Sequence, residues 1–368
     1  MAKTRIACVG GFLGAGKTTV LASAVRELMS RGLRVGVITN DQGNNLVDTA
    51  VMRELGVPAE EVGGGCFCCR FDDFLAHAGR ICEQHNPHII LAEAVGSCTD
   101  LAATVYEPLR RFHADRFDLA PLSVVVEPDR LTQFFRQAES GFPTAVSYLF
   151  EKQLAEAELI LLNKSDLIDP AEGDEFSRML QEHAGPIPVH LMSARDGSGI
   201  AAWVDQLLGE TTEGGSTLDI DYELYGEAEA ALAWLNATVD AVAPRPFAPN
   251  SLGETVIGQI RQNCSNANAT IAHLKILVAT SSGCDRIAIA ADDARAEWSS
   301  DTEFTPVSEA SIIINARVNT SAERLREIVE QALASSAEQT GETLTVQDIQ
   351  AFLPSPPKPR YRLQAQAR

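Results

Sequence analysis

Short apolar runs recur through the first 210 positions, and most are too brief and too β-branched to be helices. They read RIACVGG (5–11), LRVGVITN (33–40), HIILAEAVG (88–96), PLSVVVE (121–127) and LILLNKSD (159–166). Between them, apolar residues fall at intervals of three and four, as in VLASAVRELMSRG (20–32), where Gly32 closes a helix. Strands that are apolar throughout, alternating with amphipathic helices, specify βαβ units and a parallel sheet buried on both faces. A short strand in PVHLMSA (188–194) and a helix near Gly199 to Leu208 finish the series. The fold class predicted for residues 1–210 is α/β, with a mainly parallel sheet flanked by helices.

GETTEGGST (209–217) has no apolar period, and residues 211–217 are read as a linker. The pattern then changes. EAALAWLNATVDAVA (229–243) reads as one long strand, followed by a helix near Leu252 to Asn263. Strands follow in AHLKILVAT (272–280), DRIAIAADD (285–293) and ASIIINARV (310–318), then a helix from Ser321 to about Ser336. That order predicts a smaller α+β domain over 218–340, an antiparallel sheet backed by helices. Residues 341–368 read as a short helix and a tail, because PSPPKPRYR (354–362) is too rich in proline to fold and should be extended.

With 368 residues and 45% hydrophobic content, the chain can fill both cores. It has no run of about 18 uncharged apolar residues, and glycines and Lys17 interrupt the apolar stretch a secretion signal would need, so a cytoplasmic location is expected. The net charge of -20 is spread along the chain. Neither domain offers the basic face that nucleic acid or an anionic membrane would require, and neither is expected as a partner. Eight cysteines could form disulfides, but a reducing cytosol disfavours them. Three of the eight crowd into GGGCFCCR (63–70), which leaves metal binding or redox chemistry.

Gly11 to Thr18, GFLGAGKT, fits the phosphate-binding loop pattern between a strand and a helix. Gly11, Gly14, Ala15, Gly16, Lys17, Thr18 and Thr19 form the expected phosphate site. Its backbone N–H groups and helix N-terminus cradle phosphate oxygens, Lys17 reaches the β- and γ-phosphates, and Thr18 ligates Mg²⁺. NKSD (Asn163 to Asp166) follows a later strand, and Ser193, Ala194 and Arg195 follow another. A carboxylate at Asp166 can accept from guanine N1–H and N2–H₂, which adenine cannot offer, so Asn163, Lys164, Asp166 and residues 193–195 point to GTP and GDP. Glu93 and Gly96 end one strand and Asn40-Asp41 end another. There a carboxylate can orient Mg²⁺ or the attacking water, and a glycine N–H can sense the γ-phosphate. Lys17, Asp41, Glu93 and Gly96 are the candidate catalytic residues.

In order, GGFLGAGKTT, ND-x-GN-x-LVD (Asn40 to Asp48), GGGCFCC, the ExxG at Glu93 and NKSD resemble the CobW-like metal-handling GTPases, relatives of the nickel chaperones for hydrogenase and urease. The resemblance covers residues 4–210 closely and the C-terminal layout loosely. It implies slow GTP hydrolysis with Mg²⁺ held by Thr18 and Glu93, and switch loops that respond to the nucleotide. It also implies a transition metal, Zn²⁺ or Co²⁺, held by Cys66, Cys68 and Cys69 and delivered to a client metalloprotein. Two departures stand out: Asp41 and Asn44 occupy positions where many relatives carry glutamates, and the histidine-rich stretch of some relatives is absent.

Thiolates suit a borderline or soft ion. On an extended loop Cys66 and Cys68 would point one way and Cys69 the other. Three donors from one loop make an open site, completed by water, Asp41, a client residue or a second chain, which leaves room for a homodimer. Flexible Gly63 to Gly65 would let nucleotide state alter metal affinity. His77, His85 and His88 read as surface or helix-end residues, Cys8 as core, and Cys98 as a thiol that could approach the switch. Two other functions fit parts of the pattern: a small-molecule P-loop kinase or amidotransferase-like enzyme, and a corrinoid-pathway assembly or reactivation factor.

Overall fold

The computed structural model describes residues 3–40, 52–53, 55–136, 141–209, 217–290, 296–299 and 304–365. In the first part of the chain the strands are β1 (Thr4–Gly10), β2 (Val35–Asn40), β3 (Ala59–Val62), β4 (Ile89–Glu93), β5 (Phe117–Leu119), β6 (Ser123–Val126), β7 (Leu159–Leu162) and β8 (Val189–Leu191). Their order is β3-β2-β4-β1-β6-β7-β8, with β5 also against β1, and the pairings are parallel. Residues of β2, β4 and β6 are buried throughout, as expected of strands covered on both faces.

Parallel pairing brings the carboxyl ends of the strands to one edge, where ligands of open α/β sheets bind. The register makes this concrete. Val9 lies opposite Glu93, so the end of β4 sits beside the exit of β1 into the phosphate loop. Asn40 lies opposite Val62, so the loop carrying the cysteines leaves the sheet next to the last residue of β2.

The chain divides into two compact units, residues 1–228 with 356–368, and residues 229–355. The boundary thus falls later than residues 211–217, most of which lie outside the described residues. In the second unit the strands are β9 (Ala233–Phe247), β10 (Thr270–Thr280), β11 (Gly283–Ile289), β12 (Glu297–Trp298), β13 (Val307–Asn319) and β14 (Thr343–Phe352). They form an antiparallel sheet, β12-β11-β10-β13-β9-β14, backed by the helices Pro249–Asn266 and Ala322–Thr340. This is the α+β domain that the pattern predicted.

Three details differ from the sequence reading. The run read as one strand from residue 229 begins as the end of a helix, Tyr222–Ala230, because its alanines favour a helix until Trp234 and the β-branched residues take over. Residues 343–352 form β14 rather than a short helix, paired to β9. The proline-rich segment is extended as expected, but from Pro356 it belongs to the first unit and is not a free tail.

Candidate functional site

The phosphate loop is shaped by close packing. A Cβ on Gly11, which sits at φ +126°, would lie 2.2 Å from the Val125 carbonyl oxygen, so only glycine fits there. The helix Lys17–Ser30 starts from Gly16 in the left-handed region, leaving the amides of its first turn turned toward the loop. Lys17 is buried and donates to the carbonyls of Gly11 (2.8 Å) and Phe12 (3.2 Å), which holds its ammonium across the loop. Thr18 Oγ1 donates to Glu93 Oε1 at 2.9 Å, bringing together the two groups expected on Mg²⁺. A Cβ on Gly96 would meet Leu13 Cδ2 at 2.6 Å and Leu13 N at 3.1 Å, so this glycine lies directly on the phosphate loop.

On the base side, Asn163 is a brace. Its Nδ2 donates to Ala15 O (2.9 Å) and its Oδ1 accepts from Ala194 N (3.0 Å), joining the phosphate loop to residues 193–195. Ser193 and Ala194 are buried, whereas Arg195 and Asp166 are exposed, leaving the Asp166 carboxylate open to a base. Lys164 Nζ lies 3.3 Å from the buried carboxylate of Glu127, just past β6. Sequence reading missed Glu127, although a lone acid closing the apolar run SVVV was the available signal.

At the end of β2, Asn40 uses its whole side chain as a clamp. Nδ2 donates to Val62 O (2.8 Å) and Gly65 O (2.7 Å), and Oδ1 accepts from Phe67 N (2.9 Å). Asp41 and Asn44 lie outside the described residues. Held this way, residues 66–69 form a turn in which the Cys69 and Arg70 amides donate to Cys66 O. Sγ–Sγ separations are 2.7 Å for Cys66–Cys68, 3.3 Å for Cys66–Cys69 and 3.8 Å for Cys68–Cys69. Cys69 therefore shares a face with the other two instead of opposing them, because the backbone turns where an extended loop was expected.

Cys98 lies near Cys66 but outside the group of three, Cys66, Cys68 and Cys69, whose sulfurs all stand within 4.8 Å of one another. Contacts with Cys68 first, and then with Cys69 and Cys98, hold the Cys66 thiol well below its usual range. The same contact with Cys66 pushes Cys68 well up and Cys69 to about 11. Cys66 Sγ donates to Cys69 Sγ, and in the Cys66–Cys68 pair either sulfur can be the donor. Tetrahedral thiolates at about 2.3 Å from zinc stand roughly 3.8 Å apart. The all-sulfur donor set fits such an ion, with Cys66 and Cys68 parting by about an ångström to admit it. The histidines near Cys82 serve elsewhere: His77 pairs with Glu60, and His88 accepts from Arg34 N.

Sequence comparison bears on both halves of the site. The family model described as the CobW/HypB/UreG nucleotide-binding domain matches residues 5–190. The chain belongs to this family. Among curated proteins it is 31% identical over 181 residues to the zinc chaperone CobW of a Sinorhizobium species, covering 44% of this chain and 51% of that one. It is 28% identical over 190 residues to the zinc chaperone YeiR of Escherichia coli, covering 50% and 53%. The matches span about half the length of these relatives. Among solved structures, HypB from Helicobacter pylori in complex with nickel aligns with a TM-score of 0.41 and 16% identity, over 56% of this chain and 86% of that one.

In this CobW/HypB/UreG member, the segment after Glu93, expected from the sequence to act as a switch, is held by residues that carry no motif. Gln153 Nε2 donates to the carbonyls of Gly96 (3.0 Å) and Cys98 (2.8 Å). Nearby, Glu156 accepts from Thr99 Oγ1 (3.0 Å) and Ala102 N (3.3 Å). Burial, and then the charge of Asp100, push the Glu156 carboxyl from 4.5 to about 8. Because its folded pKa is the higher one, its stabilising contribution is complete below about pH 4.5 and is lost as pH rises through about 8. Glu156→Gln is therefore expected to melt near the wild type at pH 5. At pH 9 it should be the more stable, by up to about 5 kcal/mol. Thermal unfolding at both values tests this, and an equal difference at the two would contradict it.

Proposed function

We propose that the chain is a GTP-hydrolysing metal chaperone that takes a transition metal on Cys66, Cys68 and Cys69, with Cys98 close by, and passes it to a client metalloprotein. The observation that supports this best is the short segment from Glu93 to Cys98. One end carries the carboxylate that meets Thr18, its middle glycine lies on Leu13 of the phosphate loop, and its far end carries the thiol that meets Cys66. The nucleotide and metal sites share six residues of backbone, Glu93 to Cys98.

The work can be divided among the side chains. Asp166 selects guanine, while Asn163 keeps the base-side loop in register with the phosphate loop. Lys17 and the loop amides hold the phosphates, Thr18 and Glu93 hold Mg²⁺, and Glu93 or Asp41 orients the attacking water. When Gly96 responds to the γ-phosphate, Cys98 moves with it and changes the donor set offered to the ion. Cys98, close to Cys66, is a further candidate for the fourth donor that the sequence left to water, Asp41, a client residue or a second chain. Zinc is the preferred cargo on affinity order, with cobalt the competitor.

The test is a zinc and cobalt titration of the reduced protein, with Mg²⁺–GDP and with Mg²⁺ and a non-hydrolysable GTP analogue. A difference of about tenfold or more between the nucleotide states is expected. Equal affinity in both states would remove the proposed coupling. Phosphate transfer to a small-molecule acceptor would instead favour a kinase.

A further inference from the structure

The proline-rich segment crosses the thiol loop and makes specific contacts there. Prolines 356, 357 and 359 lack N–H groups and hold the backbone extended, which leaves the Lys358 and Arg360 amides as its nearby donors. Both are used on the cysteine turn: Lys358 N donates to Cys69 Sγ at 3.1 Å, and Arg360 N donates to Cys68 O at 2.8 Å. Between the two anchorages Tyr361 sets its ring edge-on to Phe71, with centroids 5.5 Å apart, and also packs on Phe112.

The next residues reach the chain just beyond the switch. Arg362 Nε donates to Asp100 Oδ2 at 2.8 Å, and its Nη2 donates to Leu218 O at 2.6 Å. Leu363 N donates to Ala103 O at 2.9 Å. The Asp100 side chain is 1% exposed, against 32% for Arg362, so the guanidinium reaches inward to a carboxylate shielded from water. Tyr222 donates to the same oxygen at 2.7 Å. A buried carboxylate that loses its cation is left poorly compensated, which makes this ion pair the firmer of the two anchorages.

We propose that residues 356–365 are a strap of the metal site: Lys358 positions Cys69, Arg362 ties the strap to the switch segment through Asp100, and cargo enters or leaves when the strap lifts. The proposal rests on the reading of the cysteines as a metal site. Two consequences follow from the geometry. With the strap seated, the Cys69 sulfur has a backbone donor fixed on it and one approach is covered. Because Asp100 lies two residues beyond Cys98, a shift of the switch displaces the strap's anchorage together with a ligand.

The experiment compares the wild type with Arg362→Glu and with a chain ending at Ser355. Iodoacetamide labelling of the reduced, metal-free proteins, resolved by mass spectrometry, reads the strap without any metal. Cys69 labelling is expected to accelerate about tenfold or more in both variants. Zinc transfer to a chromophoric chelator should accelerate similarly, and a synthetic peptide spanning residues 354–365 should slow it again in the shortened chain. GDP binding serves as the folding control. If both variants bind GDP yet label and release zinc at wild-type rates, the strap is refuted while the metal site stands. Faster Cys69 labelling in proteins that bind no zinc supports the strap and retires the metal reading instead.

Discussion

Replacing Cys66 and Cys68 together by serine is expected to lower zinc affinity by about 10⁴-fold or more, read by competition with a chelator of known affinity. Zinc sets of four protein donors release about 10–16 kcal/mol on binding, or roughly 3 kcal/mol per donor, and two donors are lost. Cys66 is the centre of the cluster, contacted by Cys68, Cys69 and Cys98 and already biased toward the thiolate. The single variant Cys66→Ser should therefore lose more affinity than Cys69→Ser, whose sulfur sits at the edge. GDP binding should be unchanged, since these thiols do not touch the phosphate loop. An affinity within threefold of wild type in the double variant would return the cysteines to packing or redox work.

Lys17→Ala is expected to reduce GTP hydrolysis by about 10³-fold, or roughly 4 kcal/mol of transition-state stabilisation. The Lys17 ammonium is already held over the loop by two carbonyls, so binding nucleotide requires little reorganisation of the side chain. Single-turnover hydrolysis with saturating enzyme separates this loss from weaker binding. Zinc affinity in the GDP state should stay near wild type, while the difference between GDP and analogue states disappears. Turnover that survives the substitution would place the phosphate chemistry elsewhere.

Where the information was local, the sequence was readable. An apolar run of four or five residues, a glycine-rich turn and a helix identify a phosphate loop without reference to the rest of the chain. The antiparallel domain was likewise visible in its long alternating strands. β14 escaped because it is an edge strand rich in polar residues, TLTVQDIQAF, with most side chains outside the core and little periodicity to read. The thiol turn was misjudged for a different reason. CFCC alone suits an extended loop, and the turn depends on Asn40, more than 20 residues earlier in sequence, clamping both sides of the glycines. Cys98 and Gln153 act through contacts made only when distant segments meet. The proline content of the last segment correctly signalled an extended backbone that does not bond to itself, but it carried no information about which surface the Lys358 and Arg360 amides would find.

The first unit is discontinuous in sequence: residues 356–365 belong to it but follow all of residues 229–355. On the ribosome, the sheet, the phosphate loop and the four thiols emerge well before the segment that crosses them. At rates of about 5–20 residues per second, the interval is roughly 6–25 seconds. Through that time the nascent chain presents an uncovered, metal-ready cluster to whatever ions and oxidants surround it. On the proposed reading of the cysteines and the strap, the order of synthesis would let loading precede closure.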